Sequence, residues 1–374
     1  MTDALTLSTY FGERDRTGGR LLADALLDIY GADRIRASLL LRGAAGFGAV
    51  HHLHTDRLLS LSIDLPVVSV AVDVPERIES TLAKVLEIKQ RGLITLERTR
   101  LIPDGLEPRP SPTTQAAIGA LAESGAETKL TIVLGRRDRV DGRPASVAVC
   151  ELLHERAIAG ATVLLGVDGT RHGRRTRARF FGRNPDVPMM IVAVGSSAAL
   201  ASLLPELGRL ARASPVMVED VRVCKRDGVL LARPHEPPDT DRTGRPVWQK
   251  LTLYASESDT HDGRTLHLEL IRRLRRTDAA GATSLRGIWG FHGDYQPHGD
   301  RLLALRRRVP VVTTLIDRPS TIATSFEIVD DLTRRTGLVT SEIVPAMLAF
   351  GPAARIGGLQ LADPPSPSAG RAAD

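Results

Sequence analysis

The stretch "YFGERDRTGGRLL", residues 10–22, runs an apolar strand into charge and then into glycine. The same phrase returns as "VLGRRDRVDGRPA" and again as "YASESDTHDGRTL". Its anchors are Asp15, Gly19 and Arg20, then Asp138, Gly142 and Arg143, then Asp259, Gly263 and Arg264, at identical internal spacing. From each arginine it is 23 residues to the first glycine of a second motif, Gly43, Gly166 and Gly287. Three residues later stand Gly46, Gly169 and Gly290, and 22 or 23 residues after the first glycine a proline opens an apolar strand: Pro66, Pro188 and Pro310. Landmarks matched at this precision define three homologous units of roughly 100 residues, far longer than a solenoid repeat.

Each unit is long enough to be a small domain with its own core. In the first, "LTLSTYF" alternates into a strand, and "GRLLADALLDIY" carries Leu22, Leu26 and Ile29 at helical spacing. "ASLLLRG" and "LPVVSVAVD" read as further strands, with a polar loop at about 44–64 between them. "PERIESTLAKVLEIKQRG" opens with proline and closes with glycine, the asymmetry of a helix, with an apolar stripe of Ile78, Leu82, Val85 and Leu86. "LITLERTRLI" is a closing strand. The order β-α-β-β-α-β predicts an α+β fold of ferredoxin-like units, each with two helices on one face of an antiparallel sheet. The other face must be covered, and three units on one chain can cover one another by closing into an intramolecular pseudo-trimer. The boundaries follow: units at 1–102, 129–230 and 248–350, linkers at 103–128 and 231–247, and a disordered tail at 351–374. The linkers are rich in proline, glycine and polar residues and read as flexible coil.

Composition narrows the function. Hydrophobic residues make up 42% of the 374 and charged residues 25%, which suits a soluble globular chain. The formal net charge of +6 favours anionic ligands weakly, and part of the arginine bias suits a GC-rich genome. Aromatics at 3% argue against stacking platforms for single-stranded nucleic acid. Two cysteines, Cys150 and Cys224, exclude both a disulfide framework and a cysteine zinc site. Neither a signal peptide nor a membrane span is legible, so a cytoplasmic protein is expected.

"YFGERDRTGGR", "LRGAAGFGAVHHLHTDRLLSLSIDLPVV" and "GLITLERTRLI" resemble the PII-like proteins of domain of unknown function 190. The third unit keeps "RGIWGFHG", "HGDRLL", "VPVV" and "GLVTSE", and the second keeps its strands but loses much of the central loop. The resemblance implies a ferredoxin-like fold and, through the PII nitrogen-regulatory signalling proteins, a trimeric assembly with small-molecule sites between neighbouring units. PII proteins sense adenine nucleotides and touch regulated proteins through a long loop between strands two and three. The resemblance thus implies signal transduction, an adenine nucleotide as first candidate ligand, and a regulated partner such as a membrane channel or transporter. Three copies in one chain depart from the usual single-domain chain.

Weighed residue by residue, the Asp–Gly–Arg phrase has two readings. The aspartate can cap backbone N–H groups while the arginine pairs with a carboxylate. Alternatively a glycine-containing helix start and an arginine clamp hold an anion. The candidate ligand-binding residues are Asp15, Gly19, Arg20, Arg42, Gly43, Gly46, Asp138, Gly142, Arg143, Asp259, Gly263, Arg264, Arg286, Gly287 and Gly290. The glycines of "RGAAGFG" and "RGIWGFHG" suit hinges of a mobile loop, since no helix follows as a dinucleotide fingerprint requires. Unit two departs: Arg42 and Arg286 correspond to Leu165, Phe47 and Phe291 to Thr170, and Glu13 and Glu257 to Arg136. A carboxylate missing from one copy, and the lack of any nucleophile elbow or phosphate loop, argue against an enzyme. The candidate partner loop holds Phe47, His54, Arg57, Arg174, Arg175, Arg177, Phe291, His298 and Arg301. The histidines His51, His52 and His54 read as loop residues, because zinc needs three or four converging ligands. "RHGRRTRARFFGR", 171–183, is a solvated loop or a dock for acidic protein or phosphate. The expected function is a PII-like sensor; the alternatives are a structural or adaptor protein without a ligand, and a nucleic-acid binder using the arginine-rich loop.

Overall fold

The computed structural model describes residues 1–48, 54–55, 64–102, 107, 109–177, 187–293, 296–299, 309–351 and 354–364, with backbone alone at 54, 55, 176, 177 and 299. The three copies are three mixed α/β units. The first comprises β1 (Thr2–Gly12), α1 (Leu22–Ala32), β2 (Ala37–Phe47), β3 (Pro66–Asp73), α2 (Pro75–Ile88) and β4 (Gly92–Leu101). Helix α3 (Pro112–Glu123) precedes the second. That unit contains β5 (Glu127–Gly135), α4 (Ala145–Glu155), β6 (Gly160–Leu165), β7 (Asp168–Arg171), β8 (Arg174–Arg177), β9 (Pro188–Ser196), α5 (Ser197–Leu210) and β10 (Val216–Arg226). The third has β11 (Trp248–Ser256), α6 (Leu266–Leu274), β12 (Ala282–Arg286), β13 (Trp289–His292), β14 (Pro310–Asp317), α7 (Pro319–Leu332) and β15 (Leu338–Val344). Two further strands, β16 (Ala346–Phe350) and β17 (Arg355–Gly358), follow.

In unit one β1 lies between β3 and β4 while β2 pairs with β3; in unit two β5 lies between β9 and β10 while β6 pairs with β9; in unit three β11 lies between β14 and β15 while β12 pairs with β14, all antiparallel. The strands are buried along nearly their whole length because both sheet faces are covered. Helices cover one face: Leu26, Ile78 and Val85 pack on Leu5, Leu7 and Ile94 in unit one. The other face meets its counterparts. Val68 of unit one, Met190 of unit two and Val312 of unit three share one apolar cluster, so the bare faces bury one another.

Strand edges close the same circuit. Strand β7 of unit two pairs with β2 of unit one, β13 of unit three with β6 of unit two, and β12 of unit three with the end of β2 from unit one. At the opposite edges, β10 pairs with β4 and with β15, and β16 returns to β4. Each sheet therefore loses its exposed edges to its neighbours.

Three expectations change. The segment 103–128 is not all coil: Ser111 caps α3 by accepting from the Thr114 N–H at 3.3 Å, and Leu121 is buried in the unit-two core. The tail from 351 is not wholly loose, since β17 pairs with β16 and the Ala362 N–H donates to Pro345 O at 2.8 Å. The loop expected at 44–64 begins later, because β2 continues through Phe47. Among the described residues no helix is long and apolar enough to cross a membrane.

Candidate functional site

The recurrent phrase folds as a small β-hairpin between the first strand and first helix of each unit. Residues Arg16–Thr17 pair with Arg20–Leu21, Arg139–Val140 with Arg143–Pro144, and Thr260–His261 with Arg264–Thr265. The two central turn residues have positive φ in every copy: Gly18 and Gly19, Asp141 and Gly142, Asp262 and Gly263. That is the type I′ geometry, which explains the invariant second glycine. Each aspartate folds its carboxylate back on the preceding strand. Asp15 accepts from the Gly12 N–H at 3.2 Å, Asp138 from Gly135 at 2.9 Å and Asp259 from Ser256 at 2.8 Å. The expected helix cap is thus absent from the side chain; the aspartate carbonyl accepts from the first helical N–H instead.

The arginine that follows each hairpin turn reaches along the following helix. Arg20 pairs with Asp28, Arg143 with Glu151, and Arg264 with Glu269 at 3.5 Å. All three stay more than half exposed, at 59%, 57% and 62%. Arg20, helped by Arg175, holds the Asp28 carboxyl below its ordinary range. Arg272 and then Arg273 hold Glu269 at about 2 against the effect of burial.

Arg42 and Arg286 belong to a different device. Arg42 grips Glu13 with two hydrogen-bonding contacts of 2.9 Å, and Arg286 grips Glu257 at 2.9 and 3.2 Å. Unit two has Leu165 and Arg136 at these places, so the pair is lost as a pair. There Arg171 meets Asp138 at 2.6 Å instead.

The glycines lie where one unit's arm crosses the next. A Cβ on Gly46 would sit 2.7 Å from Ala282 O, one on Gly169 2.0 Å from Ser38 O, and one on Gly290 2.3 Å from Ala161 O. Gly43, Gly166 and Gly287 likewise abut Pro66, Pro188 and Pro310, which accounts for the glycine-to-proline interval of 22 or 23 residues. These glycines serve close approach of neighbouring backbones rather than a hinge. The aromatic residues expected in a partner-facing loop are buried. Phe47 enters the helix-side core of unit three, and Phe291 enters that of unit two, edge-on to His154 at 5.0 Å. Thr170, their counterpart, donates to Ile35 O at 2.9 Å in unit one.

Arg175 is also drawn inward, pairing with Asp168 at 2.7 Å and with Asp28 of α1. Arg174 is exposed. His298 places Nδ1 2.8 Å from Gln296 O, and its strand crosses Gly290 as the His54 strand crosses Gly46. Arg57 and Arg301, and the side chains of His54 and Arg177, lie outside the described residues.

Two features escaped the sequence reading. His292 is buried 3.4 Å from Asp259 and 4.0 Å from Asp227, and these carboxylates raise it to about 9 against burial. On the inner faces, Glu97, Glu219 and Glu342, one from each unit, meet Lys129 and Lys250 in a buried cluster. Their equivalent offsets from the three arginines were the available signal: 77, 76 and 78 residues after Arg20, Arg143 and Arg264.

The family model for domain of unknown function 190, described as an uncharacterized ACR, matches residues 4–101, 127–223 and 248–346. A UPF0166 protein of Methanocaldococcus jannaschii is 32% identical over 97 residues, covering 26% of this chain and 89% of its own length. A UPF0166 protein of Aquifex aeolicus is 29% identical over 94 residues, covering 25% and 88%. A crystal structure of aspartate kinase from Synechocystis overlays 93% of this chain on 45% of its own, at 10% identity and a TM-score of 0.23, too low to argue from. Three matched segments covering most of the sequence leave one conclusion: the chain belongs to the domain of unknown function 190 family and carries that domain three times.

Proposed function

We propose that this chain is a non-enzymatic, PII-like sensor: three ferredoxin-like units forming an intramolecular pseudo-trimer that binds an anionic small molecule and signals to a regulated protein. The observation that carries the reading is the threefold recurrence of a half-exposed arginine directly after the turn of an I′ hairpin. Surface ion pairs such as Arg20–Asp28 hold only about 0–1 kcal/mol, so an incoming phosphate can compete for the guanidinium. Adenine nucleotides are the first candidates, and the loops that follow each glycine motif are the segments whose order would report occupancy. Coupling of this kind is typically ~1–3 kcal/mol.

Calorimetric titration with AMP, ADP and ATP tests the nucleotide reading. Binding should appear in the wild type and be lost in the Arg20→Ala, Arg143→Ala, Arg264→Ala triple variant. No heat from any adenylate at millimolar concentration removes it. The adaptor reading draws support from the carboxylate partner that each hairpin arginine already has. It predicts an unchanged partner interaction in the triple variant. Nucleic-acid binding through the arginine-rich loop loses Arg175 to its pairs with Asp168 and Asp28.

A further inference from the structure

The buried charges on the inner faces form a ring with one member missing. Strand register places Lys129 opposite Glu219, Lys250 opposite Glu342, and Thr6 opposite Glu97. Each lysine bridges its own unit's glutamate and that of the next. Lys129 meets Glu219 at 3.0 Å and also Glu342; Lys250 meets Glu342 at 3.1 Å and also Glu97. The alternation therefore runs Glu219, Lys129, Glu342, Lys250, Glu97 and stops. A lysine at position 6 would close it between Glu97 and Glu219, and threonine stands there.

Charge counting gives the consequence. Three carboxylates face two ammonium groups, all with side chains at most 10% exposed. Fully ionised, the group would carry one uncompensated negative charge out of contact with water. Buried carboxyls escape that cost by taking a proton. Candidate carboxylate oxygens of the three units lie within 4.8 Å of one another, close enough for one to impede ionisation of the next.

We infer that the interior holds one proton, on Glu219 and facing Glu97, at the break in the ring where the third lysine is missing. Glu342 touches both lysines and is the last to need it. Glu97 accepts a hydrogen bond from Thr95 Oγ1 at 3.1 Å in addition to its contact with Lys250. Among the described residues the one ammonium group in ion-pair contact with Glu219 is that of Lys129. Burial raises Glu219 despite Lys129, whereas the two lysines overcome burial and hold Glu342 below its ordinary value. The groups acting on Glu219 are Lys129 of β5, Lys250 of β11, Glu342 of β15 and Glu97 of β4. Tyr10 of β1 and Tyr254 of β11, both raised by burial, stay neutral beside them. The two ammonium groups contact the Oε2 atoms of the three glutamates, so an inorganic cation would compete with them for those oxygens.

The sign follows from proton linkage. A carboxyl whose folded pKa lies above its unfolded value of roughly 4.3 binds an extra proton in the native state. Stability then falls as pH rises from about that value through the folded one. The full chain is to be unfolded in urea at a series of pH values as wild type, Glu219→Gln and Thr6→Lys. The wild-type midpoint should fall between about pH 5 and 9 by more than that of Glu219→Gln, whose amide mimics the neutral acid. Thr6→Lys should raise the midpoint most at the alkaline end. His292 is common to all three and cancels in the comparison. Difference infrared spectra at neutral pH should show a protonated carboxylic acid carbonyl in wild type that Glu219→Gln and Thr6→Lys both lack. Should Thr6→Lys fail to fold, wild type against Glu219→Gln still decides by both readouts. Equal pH slopes without the acid band overturn the inference. So does a wild-type midpoint that rises with sodium, potassium or magnesium chloride at constant ionic strength while that band is missing, since the gap then takes a metal cation.

Discussion

At the residue scale, His292 shows how a position can be invisible in sequence and decisive in place. It sits in "WGFHG", where it reads as one more loop histidine, yet strand pairing carries it under the Asp227 turn and against Asp259. Burial alone would lower its pKa, and the two carboxylates reverse that to about 9. A cation with a folded value above its unfolded 6.5 contributes stability that is complete below about pH 6.5 and lost as pH rises through about 9. The contribution is on the order of 3 kcal/mol at most. His292→Gln should accordingly cost most near about pH 6 and little above about pH 9 in urea unfolding. An imidazole resonance titrating near 6.5 would contradict this. The hairpin arginines were legible because their spacing repeats. Their carboxylate partners were harder to foresee, because Asp28 and Glu151 lie eight residues on and Glu269 only five.

At the element scale, the strand-to-helix order was readable from period and punctuation: alternation in "LTLSTYF", proline at the start of α2, and Ile78, Leu82 and Val85 inside. The destination of the arms was not. Nothing local says that "RGAAGF" leaves its own sheet to lie on unit three, because a strand's partner is chosen by the assembled edges. That error turned close-contact glycines into hinges and core phenylalanines into loop residues. The crossing is tight enough to test. In Gly169→Ala the new methyl would meet Ser38 O at 2.0 Å, so unit two's arm must lift from β2. The expected loss is about 2–4 kcal/mol in urea unfolding, within the upper range for overpacking plus lost pairing. A change below about 0.5 kcal/mol would mean that this crossing does not bear on stability. Gly142 in the hairpin has nothing within 4 Å of an added Cβ, so Gly142→Ala should feel only its positive φ, a smaller cost.

At the scale of the whole molecule, the sequence supported three units, their order and their need for mutual cover, and it missed the charged interior altogether. A lone glutamate in "LITLERT" reads as a polar residue on a strand rim; it becomes interior only when three such strands converge. The ring of pairings predicts a globular particle. Small-angle scattering should yield a radius of gyration of about 21 Å for a single chain, as for a compact body of this length. An extended, flexible profile would contradict the closure.

The circuit of edges also orders events in time. Unit one is synthesised first, but its β2 arm pairs with β12 and its β4 edge is finished by β16, near the far end of the described chain. During translation unit one must therefore wait with the end of its β2 arm and the start of its β4 edge unpaired while more than two hundred residues emerge. Strands β7 and β10 cover other parts of those edges sooner. A nascent chain stalled before Ala346 would present those edges to any other chain nearby, which makes unit one the point where misassembly between ribosomes would begin.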